Sequence, residues 1–135
     1  MGFTDLADKV IVVTGAAQGI GAAYVRRLAA EGATVVAADR NRAGVERLAA
    51  ELGERVVPRE LDVSSADSCR ALAAFLEREY GRLDGLVNNA AIFSTIRMAP
   101  FWEITEEEWD AIMDVNIKGV WLLTSALIEL LKASG

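Results

Sequence analysis

The chain has 135 residues, of which 53% are hydrophobic and 25% charged, and its formal net charge at pH 7 is −6. This size and composition predict one folded domain over residues 1–135 and exclude the polar, highly charged pattern of a disordered chain. The acidic balance argues against nucleic acid or a membrane as a partner, and a single cysteine without any histidine excludes an internal disulfide and a Cys/His zinc site, so no metal is expected.

The N-terminal residues, Met1 to Asp5, contain neither the basic region nor the apolar region of a signal peptide. No stretch approaches the roughly 18 to 20 apolar residues that a membrane-spanning helix needs. We therefore expect a soluble, cytoplasmic protein.

Strand-like and helix-like segments then alternate along the chain. Short β-branched apolar runs predict strands, and apolar residues at helical spacing followed by a glycine predict helices. Three consecutive β-α-β units predict an α/β fold, a doubly wound Rossmann-type parallel sheet with helices on both faces. The predicted strands cover residues 9–14, 33–38, 55–61 and 83–88, and the predicted helices cover residues 19–31, 42–52 and 65–80.

Pro58 lies inside the third predicted strand. Because proline cannot donate a hydrogen bond to a neighbouring strand, we expect this strand at an edge of the sheet. The strand order 3-2-1-4 meets this condition. Strand four then has an open far side, as in a sheet truncated before a fifth strand, and such an apolar edge is prone to aggregation.

A looser segment, residues 92–104, follows the fourth strand. Its apolar side chains fit one wall of a substrate pocket, the core or a subunit contact, and these interpretations stay open. The side chains concerned are Phe93, Ile96, Met98, Phe101 and Trp102.

The last predicted helix is long and reaches from Thr105 to Lys132. It begins with a reciprocal capping box, in which Thr105 and Glu108 each accept a hydrogen bond from the backbone N–H of the other. Gly119 is a potential weak point inside this helix. One side of the helix carries Trp109, Ile112, Met113, Asn116, Val120 and Leu123.

A glycine-rich segment, Thr-Gly-Ala-Ala-Gln-Gly-Ile-Gly at residues 14–21, joins the first strand to the first helix. Its glycines permit a tight turn and a close approach of the backbone to an anion, and the helix N-terminus supplies N–H groups. A pyrophosphate suits this corner, whereas an ordinary glycine-rich turn is the structural alternative. A nucleoside triphosphate P-loop is disfavoured, because no lysine follows the glycines. The candidate binding residues are Gly15, Gln18, Gly19, Ile20 and Gly21.

Asp39 ends the second predicted strand, 24 positions after Gly15. A carboxylate at this distance can accept hydrogen bonds from both hydroxyls of an adenosine ribose and would repel a 2′-phosphate. We therefore predict NAD as the cofactor in preference to NADP. A solvated aspartate in a β-α turn is the structural alternative.

The spacing G-x-x-x-G-x-G and the sequence Asn-Asn-Ala-Ala at residues 88–91 resemble the short-chain dehydrogenase/reductase family. The resemblance implies an NAD(H)-dependent oxidoreductase that interconverts an alcohol and a ketone. Alanine at position 91 departs from the glycine usual in the family, and it is the smallest available replacement.

The resemblance also assigns roles to further residues. It implies that Asp62 and Val63 contact the adenine, although an aspartate followed by two serines is also a good helix start. It implies that Ala90 and Ala91 let the backbone approach the ribose and that Asn89 ties neighbouring strands together. A basic residue at the position of Arg40 serves NADP in some relatives, or stacks on the adenine.

Asn116 is a poor helix former in the middle of the last predicted helix. In the family, the asparagine of this motif bends the helix and holds a water that passes protons to the active-site lysine. A tolerated polar residue is the structural alternative.

The family's catalytic residues are a serine, a tyrosine and a lysine four positions after the tyrosine. Here Tyr24 is followed at that distance by Leu28, and Tyr80 by Asp84. We therefore expect these 135 residues alone to be inactive, with catalysis in a longer parent protein. The alternatives are a non-catalytic dinucleotide-binding or interaction module, and a methyltransferase with a similar first half.

The resemblance finally implies a homo-oligomer, a dimer or a homotetramer, in which the long helix packs against its counterpart. Trp109 and Trp121 are the candidate interface residues. The substrate itself is not predicted beyond a small alcohol or ketone.

Overall fold

A computed structural model describes residues 4–135, so residues 1–3, on which the signal-peptide prediction partly rests, lie outside the described residues. After a 3-10 turn at Thr4–Leu6, strands and helices alternate as β1 Val10–Thr14, α1 Gly19–Ala30, β2 Thr34–Asp39, α2 Arg42–Leu52, β3 Val56–Glu60, α3 Ala66–Glu79 and β4 Gly85–Val87. A second 3-10 turn, Phe101–Glu103, leads to α4 Glu106–Met113, a π-helical turn Asp114–Lys118 and α5 Gly119–Ala133.

The four strands form one parallel sheet in the order β3-β2-β1-β4, which confirms the predicted fold class and strand order. Pro58 lies opposite Ala37 on the outermost strand, where the missing N–H leaves the inner ladder intact. β4 is shorter than predicted. Its pairing with β1 covers only Gly85 to Val87, because the chain beyond Val87 turns toward the end of β1 and bonds to Thr14.

Alternate residues of the strands pack against opposite layers of helices. Val10 and Val12 of β1 belong to a core cluster with Leu76 of α3 and Leu123 of α5. The intervening Ile11 and Val13 belong to a second cluster, which includes Val25 of α1 and Val45 of α2. A strand buried on both faces explains why β1 and β2 consist almost entirely of β-branched residues and alanine.

The final helical stretch is interrupted by the π-helical turn just before Gly119, close to the predicted weak point. The extra residue in this turn rotates the helix face, so the predicted stripe of side chains does not stay on one side. Leu123 is buried, whereas Trp109 is 58% exposed and Val120 39% exposed. The buried line is formed by Val115, Gly119, Leu123 and Leu127.

By length and composition alone, the stretch Glu106–Ala133 is long and apolar enough to cross a membrane, which the sequence prediction had not recognised. Its 28 residues include an 18-residue window with a mean hydropathy of 1.4, of which 22% is buried. Core helices of water-soluble proteins pass the same test. In this fold, the buried side of α5 packs on α3 and the sheet through Leu123 and Leu127.

Candidate functional site

The candidate site is a cleft at the carboxyl ends of the strands. β1 lies between β2 and β4, so successive strands are added on one side of β1 up to β3 and on the other side from β4 onward. Open α/β sheets bind their ligands at the point where the strand order reverses in this way. The lining includes six of the predicted site residues: Gly15, Asp39, Arg40, Val63, Ala90 and Ala91. It also includes residues that the sequence had not singled out: Thr14, Ala38, Leu61, Ile92 and Val115.

The glycine-rich turn is folded tightly against β4. A Cβ placed on Gly21 would lie 2.0 Å from the carbonyl oxygen of Gly15, so no other residue fits at position 21 without moving the turn. Gly19 differs, because its φ is 57° and, apart from its chain neighbours and the backbone of its own helix, no described atom lies within 4 Å of the position that a Cβ would take there. The turn therefore exposes the backbone of Gly19 to an approaching ligand.

The N-terminus of α1 lacks a side-chain cap in the described part of the chain. Gln18 occupies the N-cap position and makes no capping hydrogen bond with its side chain. The N-termini of α2, α3 and α4 are instead capped by Asn41, Ser65 and Thr105. The backbone N–H groups and the positive dipole end of α1 are thus available to an anion.

Asp39 lies at the end of β2 with its carboxylate held by two backbone donors. The N–H of Ala17, in the glycine-rich turn, donates to Oδ2 at 3.1 Å, and the N–H of Asn41 donates to Oδ1 at 2.8 Å. Each oxygen of a carboxylate can accept about two hydrogen bonds, so one acceptor position remains on each. The side chain lines the cleft and can receive two further donors there.

Asp62 comes just after β3 and lies in a hollow that adjoins the cleft at Arg40. The Ser64 hydroxyl donates to its carboxylate at 2.6 Å, and together with the Ser64 N–H and the nearby charge of Arg40 it holds the pKa of Asp62 below its usual value, against the effect of burial. Arg40 lines both the cleft and the adjoining hollow that contains Asp62 and Ser68. Asp62 is therefore an ionised neighbour of the cleft, not part of its wall.

Asn89 connects the end of β4 to the end of β1, as predicted. Its side-chain Nδ2 donates to the carbonyl oxygens of Thr14 and Gly15, at 3.2 and 3.3 Å. Asn88 makes a second connection from the same strand end, since its amide donates to the Thr124 hydroxyl of α5 at 3.1 Å.

Thr14 is a residue of the site that the sequence prediction missed. Its side chain is 1% exposed, and its hydroxyl accepts from the backbone N–H groups of Asn89 and Ala90, both at 2.9 Å. The available signal was a polar residue ending an otherwise apolar buried strand, because such a hydroxyl must find partners inside the fold.

Asn116 lies in the π-helical turn and does not line the cleft itself. Its Oδ1 accepts from the N–H of Ile92 at 2.7 Å, and its Nδ2 donates to the carbonyl oxygen of Ile92 at 3.0 Å. Ile92 is part of the cleft wall, so Asn116 fixes the chain as it leaves β4. The helix distortion at this residue agrees with the predicted bend, whereas the predicted water remains a prediction.

Three other predicted residues lie to the side of the cleft. Gln18 and Gly19 line a groove between α1 and α2, and Ile20 is 69% exposed. In the segment after β4, Phe93, Met98, Phe101 and Trp102 are all exposed, by 73% or more, so the core interpretation is wrong for them. Ile96 lines a separate apolar groove beside α4.

Both the sequence and the fold match known proteins. The family model described as short chain dehydrogenase matches residues 9–135. Galactitol 2-dehydrogenase of Agrobacterium fabrum is 39% identical over 128 residues, which cover 95% of this chain and 49% of that protein. D-threitol dehydrogenase of Mycolicibacterium smegmatis is 41% identical over 134 residues, which cover 96% of this chain and 50% of that protein.

Among solved structures, 3-ketoacyl-(acyl-carrier-protein) reductase from Brucella melitensis, complexed with NADH, matches with a TM-score of 0.89 and 37% identity. The match covers 95% of this chain and 52% of that structure. The chain thus spans about half the length of the curated relatives it matches.

Proposed function

Because the chain belongs to the short-chain dehydrogenase family, we propose that it is the dinucleotide-binding part of an NAD(H)-dependent oxidoreductase that interconverts an alcohol and a ketone. The observation that carries this proposal is the meeting of two features in one place. The uncapped N-terminus of α1 lies next to the Asp39 carboxylate, because the N–H of Ala17, in the turn just before α1, donates to that carboxylate.

These residues fit the chemical parts of a dinucleotide. The turn at residues 15–19 and the N–H groups of α1 suit a pyrophosphate, because its negatively charged oxygens accept hydrogen bonds from backbone N–H groups. Asp39 suits the adenosine ribose, because its remaining acceptor positions match two neighbouring hydroxyls. Its negative charge disfavours a 2′-phosphate at the same place, so the proposed cofactor is NAD, with NADP less favoured.

The remaining predicted residues have supporting roles in this proposal. Arg40 and Val63 line the part of the cleft proposed for the adenine, and the ionised Asp62 lies in the adjoining hollow. The small side chains of Ala90 and Ala91 leave space for the ribose at the end of β4. Asn116 is a positioning residue, because it acts through Ile92. When bound, a nicotinamide dinucleotide supplies the group that gives or accepts a hydride.

We place the acid–base residues of the reaction outside these 135 residues. Neither Tyr24 nor Tyr80 is followed four positions later by a lysine, and neither lines the cleft. The substrate is proposed only as a small alcohol or ketone. The named relatives act on galactitol, D-threitol and a 3-ketoacyl group, so the class of compound varies within the family.

A homo-oligomer, either a dimer or a tetramer, is part of the proposal. Trp109 and Trp121 project from α4 and α5 with exposed fractions of 58% and 64%, and large exposed aromatic side chains are enriched at protein interfaces. A cytoplasmic location and the absence of nucleic acid, membrane and metal partners stay predictions from the composition.

Fluorescence titration with NADH and NADPH tests the cofactor proposal. We expect NADH to bind at least tenfold more tightly, because a 2′-phosphate placed beside the Asp39 carboxylate loses about 1.4 kcal/mol or more. Tighter binding of NADPH would overturn the assigned preference. No binding of either dinucleotide would overturn the proposed function.

Turnover separates the enzyme from the non-catalytic alternative. Incubation of the longer parent protein with NAD and a panel of polyols and secondary alcohols, followed at 340 nm, should show NADH formation if the parent is the proposed enzyme. Binding of NADH without turnover on any alcohol or ketone of the panel supports a binding or interaction module.

A further inference from the structure

Resting on the proposed function, we propose that Gly44 is a positioning residue for the dinucleotide and contributes to the preference for an unphosphorylated adenosine ribose. Gly44 lies in the first turn of α2 and is buried. It does not line the cleft of Asp39, and no feature of the sequence marks it as a functional residue. Its effect is transmitted by two neighbours, Ala17 and Asn41.

The absence of a side chain at Gly44 lets α2 sit directly against the glycine-rich turn. A Cβ on Gly44 would lie 2.8 Å from the Cβ of Ala17 and 2.8 Å from the Nδ2 of Asn41. Real Cβ atoms are not found this close to other heavy atoms. The Ala17 Cβ is one bond from the backbone, so it can move away only if the turn moves with it.

Both neighbours of Gly44 also hold Asp39. The Ala17 N–H donates to Oδ2 of Asp39, and the Asn41 N–H donates to Oδ1. Asn41 is fixed in turn by Gly44 itself, because its Oδ1 caps α2 by accepting from the Gly44 N–H at 3.0 Å. Gly44, Ala17, Asn41 and Asp39 thus form a connected group, which we call the Asp39 clasp.

A side chain at position 44 must break the Asp39 clasp on one side or the other. If the glycine-rich turn gives way, the Ala17 N–H leaves Oδ2. If α2 gives way, the Asn41 N–H leaves Oδ1. In either case the carboxylate loses one of its two anchors and rotates more freely, so its remaining acceptor positions no longer face the two ribose hydroxyls together.

The expected result concerns the ratio of two affinities. Gly44→Ala should weaken NADH binding about tenfold, which corresponds to one hydrogen bond to a charged group. NADPH binding should weaken by less, because a displaced carboxylate also repels the 2′-phosphate less. A purely structural defect would instead weaken both dinucleotides by the same factor.

A double-mutant cycle with Asp39→Ala shows whether the effect passes through Asp39. In the Asp39→Ala background the clasp has no carboxylate to orient, and Gly44→Ala should change NADH affinity by less than about twofold. An unchanged tenfold loss in that background would overturn the inference, and would mean that position 44 acts through the pyrophosphate turn.

Two further variants keep the test decisive. Ala17→Gly removes the Cβ that the new methyl would meet and leaves only the contact with the Asn41 side chain, so the double variant Ala17→Gly/Gly44→Ala should recover part of the NADH affinity lost in Gly44→Ala. If Gly44→Ala does not fold, as judged by circular dichroism, the Asn41 pair replaces it. Asn41→Ala removes the capping oxygen and should shift the NADH to NADPH ratio, whereas Asn41→Ser retains a capping oxygen and should not.

The wild-type titration separates the inference from the proposed function. Wild-type protein that binds neither dinucleotide overturns both. Wild-type protein that binds NADH, combined with variants that lose NADH and NADPH equally, overturns the role of the Asp39 clasp alone.

Discussion

The Asn116 side chain bonds to both polar groups of the Ile92 backbone, accepting from its N–H at 2.7 Å and donating to its carbonyl oxygen at 3.0 Å. The two residues are 24 positions apart, and the pair links the π-helical turn to the segment that leaves β4. An irregular segment lacks a neighbouring strand for its backbone hydrogen bonds, so the amide takes the place of such a strand.

Replacing Asn116 tests this link. Asn116→Leu keeps a similar volume but leaves the Ile92 N–H and carbonyl without the amide, and we expect a loss of about 1–3 kcal/mol in the free energy of unfolding. Asn116→Asp still accepts from the N–H, but its second carboxylate oxygen faces the Ile92 carbonyl oxygen, so we expect it to be destabilised as well. Urea denaturation measures both, and hydrogen exchange at the Ile92 amide should accelerate in Asn116→Leu. Unchanged exchange at that amide would contradict the assigned role.

Thr14 provides a second test at the junction of β1 and β4. Thr14→Val is nearly isosteric but removes the oxygen that accepts from Asn89 and Ala90. The Ala90 N–H then loses this acceptor, whereas the Asn89 N–H keeps the Val87 carbonyl oxygen at 3.0 Å. We expect a destabilisation of about 2 kcal/mol and weaker NADH binding. Thr14→Ser is the matched control, because it keeps the oxygen and loses one methyl group, at a cost of about 0.8 kcal/mol. A larger loss in Thr14→Ser would show that packing of the methyl group matters more than the hydroxyl.

The sheet and its strand order were predictable because short local sequence patterns indicate both. β1 and β2 are buried on both faces, so their sequences are continuous apolar runs, and Pro58 alone was enough to place β3 at the edge. Asp39 was predictable for a related reason, since the end of a strand beside a glycine-rich turn is a position that the fold brings to the cleft.

The contacts that hold the site were not predictable, because they join residues far apart in sequence. Nothing near Asn116 in the sequence indicates Ile92 as its partner, and nothing near Gly44 indicates Ala17. The resemblance implied a bend at Asn116, but the π-helical form of that bend was not predicted, because a single extra residue leaves the apolar spacing of α4 and α5 almost unchanged within each part. The consequence was a wrong prediction of which side chains share one side of the helix, since Trp109 and Val120 are exposed whereas Leu123 is buried.

The start of α4 should respond to acid in a defined range. The Arg97 guanidinium, and then the Thr105 N–H, lower the pKa of Glu108 to about 2. A glutamate in an unfolded chain has a pKa of about 4.3, so the stability that Glu108 contributes is fully present above that pH and is lost as the pH falls through about 2.

Glu108→Gln separates the charge from the cap. Glutamine still accepts from the Thr105 N–H, but it cannot form an ion pair with Arg97. The part of the stability that is lost between about pH 4.3 and pH 2 in the wild type should therefore not depend on pH in this variant. Carbon-detected NMR titration of the Glu108 carboxyl in the wild type gives the pKa directly. Glu107→Gln, which removes a charge from the same helical turn, is the control and should leave the acid dependence in place. A Glu108 carboxyl that titrates near 4.3 would contradict the assigned ion pair.

Arg40 allows the final prediction, because two interpretations of this residue differ in their outcome. Arg40 is exposed, lines the cleft beside Asp39 and lowers the pKa of Asp62 through its charge. The Asp62 carboxylate interacts with the Arg40 charge and makes the guanidinium a weaker site for a 2′-phosphate, whereas its flat face remains available to an adenine ring. Arg40→Ala should therefore weaken the binding of NADH and NADPH by a similar factor of about two to five, the value of one exposed stacking contact.

Arg40→Lys is the matched control: it keeps the charge but lacks the planar group, so it should behave like Arg40→Ala. A loss confined to NADPH, restored by lysine, would instead show that Arg40 binds a phosphate, and it would reverse the proposed cofactor preference at the same time.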